Sequence, residues 1–415
     1  MSKLGLFYRP HGYSLDFYVN QIKSELELNE EAVEVRLREH LSWCVNQVPM
    51  YRGYEVRGAN SFDCLKSFPV FNKKKYRLPV AETRSLARFK GERIDGTSGT
   101  SGLSFQFITT ANERAVRKAY EIVANALLGF GANDRHVVVW GGHESSSLLP
   151  KIKTRLFDLF SSRELIVVSG ADRVSLQGAR EAVVRNSGNV LVTYPSMFRG
   201  LADELELNDV LETYKSVILT GEAIPEEYFD SYKRCQLGNR YGSREFGAIA
   251  VGKGMNLGYF RSRFVLESDP ELGLLVTDLE KRCMPMLRYP IGDFLRDPLP
   301  SSFSDQTIQV GAYVLPRMGP VAGRVFDVLQ GKSGKKYLGT FWTIYLKKIG
   351  VEKFRLLEIA PSAVRLRYVG QKSESEILDL LEPRLKADFN WSAEKVLEIP
   401  ELSNSKQKIV ERLYV

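Results

Sequence analysis

Glycines and hydroxyl-bearing residues are concentrated in one short segment of this 415-residue sequence. Such a loop can wrap a polyphosphate, because its backbone N–H and side-chain O–H groups are hydrogen-bond donors. It is not a loop of the Walker type, since no Gly-Lys-Ser/Thr ends it. Taken alone, the segment is equally typical of a surface turn. Its members are Thr97, Ser98, Gly99, Thr100, Ser101 and Gly102.

A second segment combines an aromatic ring, a small turn residue and a carboxylate. At this spacing the ring can stack on adenine and the carboxylate can hold Mg²⁺. In isolation, a turn with a surface ion pair explains the same string. The candidate residues are Tyr241, Gly242, Ser243 and Glu245.

Three shorter segments carry single charged residues of interest. Asp293 follows a glycine at a predicted strand end and could accept hydrogen bonds from two ribose hydroxyls, although a Gly-Asp pair more often forms a hairpin turn. Arg324 lies near a predicted domain boundary, and Lys406 lies close to Lys408 near the C-terminus. For these cations, a solvated charge on a linker or turn is the ordinary interpretation.

Between residues 111 and 220, amphipathic helical patterns alternate with short apolar runs. Strands that alternate with crossover helices predict a largely parallel sheet. Residues 12–50 also have a largely helical pattern. The predicted helices are 111–128, 152–160, 175–186 and 196–207, and the predicted strands are 136–140, 164–168, 189–193 and 216–220.

The pattern changes after residue 246, where strands are predicted at 258–266, 272–278 and 286–293 without helices between them. Beyond residue 338 we predict strands at 354–360 and 363–369 and a helix over 374–389, which Pro383 should kink or split. The predicted fold class is therefore α/β. A large N-terminal domain of several subdomains (1–322) combines mainly parallel sheets with a β-rich part, and a small α+β domain (323–415) follows it.

The composition is that of a globular protein with a formal net charge of +8. The basic residues are spread along the chain, so nucleic-acid binding has no motif behind it and a solvated basic surface is the better interpretation. The four cysteines are far apart, which favours reduced thiols over disulfides or a zinc site. No signal peptide or membrane-spanning run is seen, and we expect a soluble cytoplasmic protein.

In their order and spacing, these motifs together resemble the adenylate-forming superfamily of acyl-CoA synthetases, peptide-synthetase adenylation domains and luciferases. There the loop reads Thr-Ser-Gly-Thr-Thr-Gly, followed by Tyr-Gly-x-Thr-Glu, Tyr-x-Thr-Gly-Asp, Gly-Arg-x-x-Asp and a terminal Gly-Lys. The resemblance runs from about residue 60 to the end. The compact length and the Tyr-Gly-Ser-Arg-Glu form look closest to the phenylacetate–CoA ligase branch, especially its CapK-like members.

The resemblance implies a role for each matching residue. The 97–102 loop would bind the β- and γ-phosphates of ATP, Glu245 would hold Mg²⁺, and Lys406 would bridge the carboxylate and the α-phosphate. The segment with Gly221 and Glu222 would line the adenine and acyl pocket. The remaining nucleotide-binding positions would be Tyr241 with Gly242 and Ser243 at adenine, Asp293 at the ribose, and Arg324 at ribose or phosphate.

Several positions depart from the superfamily pattern. Arg244 replaces the usual threonine before the glutamate, and Phe326 stands where many relatives have a hinge aspartate, which puts a large domain rotation in doubt. Ser405 replaces the glycine before the catalytic lysine, so Lys408 remains an alternative to Lys406. We favour Lys406, because the basic-then-apolar run after it fits the branch better.

The implied activity is ATP-dependent activation of a carboxylic acid to an acyl-adenylate, with transfer to an acceptor. CoA is the default acceptor, and a carrier protein, an amine or a hydroxyl of a polysaccharide or metabolite precursor are alternatives. A nucleotide-binding module that has lost turnover is the competing hypothesis. Five apolar residues are candidates for an acyl-pocket wall, although such residues more often form the core: Trp140, Tyr194, Pro195, Met197 and Phe198.

Overall fold

The structure is a computed structural model. It describes residues 14–58, 60–73, 75–76, 78–96, 105–131, 134–141, 158–159, 161–168, 173–297, 299, 306–324, 328–338, 342, 345–346, 348–399 and 409–413. Within these residues, no helix is both long enough and apolar enough to cross a membrane.

The helices are numbered in chain order. They are α1 Leu15–Ser24, α2 Glu30–Gln47, α3 Ser61–Lys66, α4 Ala111–Leu127, α5 Arg173–Arg185, α6 Pro195–Arg199, α7 Asn208–Glu212, α8 Glu227–Ser231, α9 Glu374–Leu380 and α10 Pro383–Asp388. Short 3₁₀ turns occur at Pro49–Tyr51 and Ala81–Thr83, and a π-helical segment, Gly200–Glu204, continues α6.

The strands up to residue 278 are β1 Arg93–Gly96, β2 Gln106–Thr109, β3 His136–Gly141, β4 Arg163–Val168, β5 Val190–Thr193, β6 Ser216–Thr220, β7 Leu237–Ser243, β8 Gly247–Gly252, β9 Leu257–Tyr259, β10 Phe264–Asp269 and β11 Gly273–Asp278. The later strands are β12 Tyr289–Pro290, β13 Asp293–Leu295, β14 Thr307–Val310, β15 Tyr313–Met318, β16 Val321–Arg324, β17 Val328–Gln330, β18 Lys336–Leu338, β19 Val351–Ala360, β20 Ala363–Gly370, β21 Asn390–Lys395 and β22 Val410–Arg412.

A mixed sheet dominates the N-terminal part, with nine strands in the described residues in the order β14-β15-β9-β8-β7-β6-β5-β3-β4. Strands β4, β3, β5, β6 and β7 are parallel, whereas β7, β8, β9, β15 and β14 pair antiparallel. Every residue of β5 and β6 is buried, as expected for central strands covered on both faces. The predicted α/β fold class, with parallel strands followed by a β-rich part, is confirmed.

Helix α4 begins at a capping box. The Thr110 hydroxyl accepts a hydrogen bond from the Glu113 amide, and the Glu113 carboxylate accepts one from the Thr110 amide, both at 3.0 Å. The buried face of the helix repeats every three to four residues from Ala115 to Leu127. This start and this periodicity explain why the helix is nearly coextensive with the predicted 111–128 segment.

Strands β1 and β2 form an antiparallel hairpin in which Gly96 lies opposite Gln106. The chain between them contains the 97–102 segment, which lies outside the described residues. The Thr109 hydroxyl donates to the Asp95 carboxylate at 3.1 Å, and the Arg114 guanidinium donates to the Thr109 hydroxyl and carbonyl oxygens. These contacts hold the base of the hairpin against α4.

The C-terminal part has its own four-stranded sheet in the order β21-β20-β19-β22. Leu356, Val364, Leu366 and Tyr368 project from its two central strands into a separate core with Trp342. Pro383 is the first residue of α10, and the backbone leaves the helical conformation between α9 and α10. The predicted splitting of the 374–389 helix is confirmed.

By its contacts the chain divides into two compact units. One comprises residues 1–268, 274–291 and 297–320, and the other comprises 269–273, 292–296 and 321–415. The predicted domain boundary at 322/323 and the mobility of the C-terminal domain stay predictions.

Two of the strand predictions after residue 246 are wrong in their extent. The run 258–266 is broken, because the Arg263 and Phe264 amides both donate to the Phe260 carbonyl and form a tight turn between β9 and β10. The run 286–293 is divided at Gly292, whose φ of +94° lies in the left-handed region that favours glycine.

Candidate active site

The carboxyl ends of the parallel strands meet along one edge of the large sheet. Thr220 of β6 lies opposite Arg240 of β7, so Gly221 and Tyr241 are the next residues at that edge. Strand β5 ends there before Tyr194. In open α/β sheets ligands bind at this edge, so a binding site is expected here.

Gly221 leaves β6 with a φ of +82°, and a Cβ atom at this position would lie 2.6 Å from the ring of Tyr194. Only glycine allows this close approach. The neighbouring Glu222 carboxylate accepts hydrogen bonds from the amide and the hydroxyl of Ser196, both at 3.0 Å. The Tyr194 ring in turn packs on Trp140, with 4.1 Å between the ring centroids. The structure thus brings Gly221, Glu222 and two of the proposed wall residues together.

Of the five apolar wall candidates, Met197 and Phe198 are completely packed into the hydrophobic core around the parallel sheet, and Tyr194 is nearly so. Trp140 is half-buried and packs against that core. Core packing therefore accounts for Met197 and Phe198, as the ordinary interpretation of such residues predicts.

The second motif forms the hairpin between β7 and β8. Ser243 pairs with Gly247, so Arg244, Glu245 and Phe246 are the connecting residues. A Cβ on Gly242 would lie 2.0 Å from the Gly247 carbonyl oxygen, so this position accepts no side chain. Tyr241 and Ser243 are half-buried on β7. The tight turn presents Glu245 next to the strand that carries Tyr241.

Glu245 is only 9% exposed, and its Oε1 atom accepts a hydrogen bond of 2.5 Å from the Tyr289 hydroxyl. Burial, and after it the charge of Glu245, raises the pKa of Tyr289 well above its ordinary value. Tyr289 therefore remains a donor at every physiological pH. The Lys73 ammonium lies over its ring, 4.1 Å from the centroid.

Arg117 on α4 contacts both the β1–β2 hairpin and the turn between β7 and β8. Its guanidinium donates to the Arg244 carbonyl at 2.8 Å and lies 3.9 Å from the Asp95 carboxylate of β1. A Cβ on Gly247 would lie 2.5 Å from the Arg117 Cγ atom, so the side chain packs directly on the Glu245 turn. One arginine of α4 thus connects the hairpin that carries the 97–102 segment to the turn that carries Glu245.

A cavity of about 10 Å³ lies beside Glu245, close to the smallest volume that holds one water molecule. It is lined by charged side chains of both signs and one hydroxyl: Thr109, Glu113, Arg117, Glu245, Arg263, Asp278, Glu280 and Lys281.

Mg²⁺ is usually bound by one or two carboxylates together with water and substrate phosphates. Only Oε1 of Glu245 is engaged, and Oε2 makes no hydrogen bond or ion pair with any described residue. In the part of the chain that the structure describes, no three histidine, cysteine or carboxylate side chains form a metal cage. A single carboxylate with one oxygen left unengaged by the described residues fits a metal that is also bound by the phosphates of a nucleotide.

Asp293 and Arg324 are direct cross-strand partners in the two-stranded sheet of β13 and β16. The backbone thus pairs the third motif with the fourth, although they are 31 residues apart in the sequence. Both belong to the second compact unit.

Other predicted site residues lie outside the described residues. They are Thr97, Ser98, Gly99, Thr100, Ser101 and Gly102 of the loop, and Lys406 with its alternative Lys408. Their proposed roles stay predictions.

Sequence reasoning assigned no role to Tyr289, Arg117 or Lys281. Tyr289 stands inside the Arg-Tyr-Pro-Ile-Gly-Asp motif, but only the fold shows that its hydroxyl meets a carboxylate 44 residues away. Arg117 looks like any polar position on an amphipathic helix. For these residues no signal in one sequence distinguishes a site role from a surface role.

The fold as a whole matches solved structures of 2-hydroxyisobutyryl-CoA ligase. The complex with R3-HIB-AMP in the postadenylation state has a TM-score of 0.64 at 14% sequence identity, covering 92% of this chain and 89% of that chain. The complex with 2-HIB-AMP and CoA in the thioesterification state has a TM-score of 0.54 at 15% identity, covering 94% and 91%. At this low identity the likeness establishes a shared fold.

No protein-family model and no curated protein matches the sequence. The likeness is thus one of fold and not of overall sequence similarity.

Proposed function

We propose that this protein uses ATP to convert a carboxylic acid into an acyl-adenylate, releasing pyrophosphate, and then passes the acyl group to an acceptor. The observation that carries the proposal is the Arg117 bridge. It connects the β1–β2 hairpin, which carries the candidate phosphate loop, to the turn that carries the candidate metal ligand Glu245.

Glu245 is the residue proposed to hold Mg²⁺. Its Oε1 atom is fixed by Tyr289, while Oε2 is left for the metal. The ion would supply positive charge that offsets the repulsion between an anionic acid and an anionic triphosphate. Glu245 would also keep that charge beside the phosphates.

The nucleotide itself would be held by the other motifs. We assign Thr97, Ser98, Thr100 and Ser101, with Gly99 and Gly102, to the β- and γ-phosphates. Tyr241, supported by Gly242 and Ser243, would contact adenine, and Gly221 and Glu222 would line the adenine and acyl pocket. Asp293 would bind the ribose hydroxyls, with Arg324 at ribose or phosphate. The pairing of Asp293 with Arg324 across β13 and β16 supports a shared role.

Lys406 is proposed to act in the chemical step. A carboxylate oxygen attacks the α-phosphorus in line with the departing pyrophosphate, and negative charge accumulates on the phosphoryl oxygens. An ammonium group that contacts both the carboxylate and the α-phosphate would stabilise that charge.

CoA is the acceptor we propose first. The solved structures that share the fold include one with an acyl-adenylate and CoA bound together. Within the superfamily we propose the phenylacetate–CoA ligase branch, with CapK-like members as the nearest group, on the strength of the Tyr-Gly-Ser-Arg-Glu motif.

The decisive measurement is ATP–pyrophosphate exchange across a panel of acids, with and without Mg²⁺. We include aromatic acids, because of the branch, and 2-hydroxyisobutyrate, because of the structural relatives. Exchange that requires both an acid and Mg²⁺ supports the enzyme. ATP binding without exchange for any acid supports the competing hypothesis, a nucleotide-binding module without turnover.

The acceptor is tested separately with the best acid of that panel. Formation of a CoA thioester, followed by chromatography, is the expected result. Rapid adenylate formation without thioester, together with trapping by an added amine, would point to an amine, a hydroxyl or a carrier protein instead.

A further inference from the structure

Arg117 lies one helical turn after Glu113, on a part of α4 that is firmly attached to its surroundings. The Glu113 carboxylate accepts hydrogen bonds from the amides of Thr110, Arg282 and Cys283, at 2.9 to 3.0 Å. Residues four apart in a helix share a face, so Glu113 and Arg117 lie on the same face of α4. A side chain that places another residue accurately needs such a rigid support.

The turn that carries Glu245 lies beyond the end of the β7–β8 ladder. The last pair of that ladder is Ser243 with Gly247, so the Arg244 carbonyl has no cross-strand partner in it. The Arg117 guanidinium donates to this carbonyl at 2.8 Å. The Arg244 carbonyl and the Glu245 amide belong to one planar peptide group. The hydrogen bond therefore orients the peptide that leads directly into the proposed metal ligand.

Arg117 also contacts the other side of the same turn. Gly247 has a φ of +77°, and a Cβ atom at this position would lie 2.5 Å from the Arg117 Cγ atom. The glycine thus allows both the left-handed backbone and the close approach of the arginine stem. The turn is in contact with Arg117 at the residue before Glu245 and at the second residue after it.

Asp95 of β1 is the carboxylate that pairs with Arg117 among the described residues. The two charged groups lie 3.9 Å apart, and their side chains are 24% and 13% exposed. Burial raises the pKa of Asp95, but the charges of Arg93 and Arg117 outweigh burial and hold that pKa below its ordinary value. Asp95 is therefore ionised at neutral pH and attracts the guanidinium.

We propose that Arg117 is a positioning residue for Glu245. Through the Arg244 carbonyl it sets the orientation of the peptide before Glu245, and Asp95 keeps the guanidinium in place for this bond. The proposal rests on the proposed role of Glu245 in metal binding. It gives Arg117 no contact with the metal or the nucleotide. Loss of Arg117 should therefore reduce what the metal adds to nucleotide binding and leave the binding of metal-free nucleotide unchanged.

The test compares the affinity for ATP in Mg²⁺ with the affinity in EDTA, both by isothermal titration calorimetry without any acid. The ratio of the two affinities is called the metal gain. Arg117→Met keeps an apolar stem beside Gly247 and removes the guanidinium. We expect its metal gain to fall on the order of tenfold, as for the loss of a hydrogen bond from a charged donor. Arg117→Lys keeps a cationic donor and should recover part of the gain.

Two matched variants separate positioning from a general effect of charge. Arg93→Met removes the other cation that pairs with Asp95, at 3.3 Å, and should leave the metal gain unchanged. Arg117→Met should cause no further decrease when Glu245→Gln is already present, because Arg117 acts through Glu245.

Hydrogen exchange followed by mass spectrometry reports on the turn itself. The amides of residues 244–247 should exchange faster in Arg117→Met than in the wild type, because the turn has lost a hydrogen bond. If Arg117→Met does not fold, Arg117→Gln replaces it. Asp95→Asn, which leaves Arg117 in place without its counter-charge, should lower the metal gain in the same direction and by less.

The proposal is overturned if folded Arg117→Met or Arg117→Gln keeps the metal gain of the wild type, or if Arg93→Met loses as much. It is also overturned if Arg117→Met lowers the metal gain further in the Glu245→Gln background. Pyrophosphate exchange by the wild type keeps this proposal distinguishable from the proposed activity. Exchange with an unchanged metal gain in Arg117→Met removes only the positioning role. Absence of exchange with a reduced metal gain in Arg117→Met removes only the enzyme activity.

Discussion

The Tyr289 hydroxyl and the Glu245 carboxylate are joined by a hydrogen bond of 2.5 Å in the interior of the larger unit. The tyrosine ring is fixed by its neighbours, with ring centroids 5.3 Å away at Phe246 and 5.6 Å away at Phe105. The donor is thus held in place before any ligand binds. One oxygen of the carboxylate is oriented by the protein, and the other is available.

Replacing Tyr289 by phenylalanine should weaken both the fold and the proposed metal site. The ring packing stays, but a hydrogen bond to a charged group is lost, which costs about 1.5–3 kcal/mol of unfolding free energy. The concentration of Mg²⁺ needed for half-maximal exchange should rise, because Glu245 is no longer oriented. Urea unfolding and a Mg²⁺ titration measure the two effects.

Tyr214→Phe is the matched control for this variant, since the Tyr214 hydroxyl donates to the buried Val183 carbonyl at 2.6 Å. It should lose stability without any change in Mg²⁺ requirement. An unchanged requirement in Tyr289→Phe as well would show that the hydrogen bond does not serve the metal site.

Replacing Glu245 by glutamine should raise the Mg²⁺ requirement of exchange more strongly, because the charge itself is removed while the size is kept. Glu164→Gln, which alters a carboxylate paired with Arg135 and Arg185, should leave the requirement as it is. The same metal dependence in Glu245→Gln and wild type would refute the assigned role.

The regular part of the fold was readable from the sequence because local signals and the tertiary structure agree there. Strand 216–220 is found at the predicted residues, and α4 differs from its prediction by one residue. The strands after residue 246 are less predictable. Their ends are set by turns such as the one at Phe260, and the pattern of apolar residues does not indicate where those turns occur.

Site residues that lie close together in the sequence were predictable, whereas those brought together by the fold were not. Glu245 and Tyr241 are neighbours in the sequence, so one motif contains both. Tyr289, Arg117 and Lys281 reach the site from β12, α4 and the segment after β11. Their meeting depends on long-range packing, and a single sequence carries no trace of it.

Replacing Asp293 by alanine should weaken AMP binding by about 1–3 kcal/mol, because hydrogen bonds between the ribose hydroxyls and the carboxylate would be lost. Isothermal titration calorimetry with AMP measures the change. The control is Asp297→Ala. Asp297 is close to Asp293 in the sequence but forms an ion pair with Arg317, and this variant should bind AMP normally. Equal AMP affinity in Asp293→Ala and wild type would count against the ribose assignment.

Replacing Lys406 by alanine should reduce adenylate formation by orders of magnitude while ATP binding stays largely intact, because the ammonium acts on charge that develops in the transition state. Lys408→Ala tests the alternative lysine in the same exchange assay. Near-normal exchange in Lys406→Ala together with a severe loss in Lys408→Ala would transfer the role to Lys408.

His40 should make the larger unit sensitive to acid. Its ring is completely buried on α2, and neither nitrogen has a hydrogen-bond partner among the described residues. Burial, followed by the charge of Arg282, lowers its pKa from 6.5 to about 3. Between these values the unfolded chain binds a proton that the native protein does not, so stability falls as the pH falls.

The expected contribution of His40 is about 1.4 kcal/mol of unfolding free energy per pH unit in this window. The loss of stability due to His40 is absent above pH 6.5 and complete near pH 3. His136, whose pKa burial lowers to about 4, adds a similar slope. Urea unfolding of the His40→Leu variant between pH 7.5 and 5 should show a weaker dependence of the unfolding free energy on pH. The dependence that remains comes from His136. Because leucine leaves no buried nitrogen without a partner, the variant should also be at least as stable as the wild type at pH 5. An identical dependence of stability on pH in both proteins would show that His40 is not one of the acid-sensitive groups.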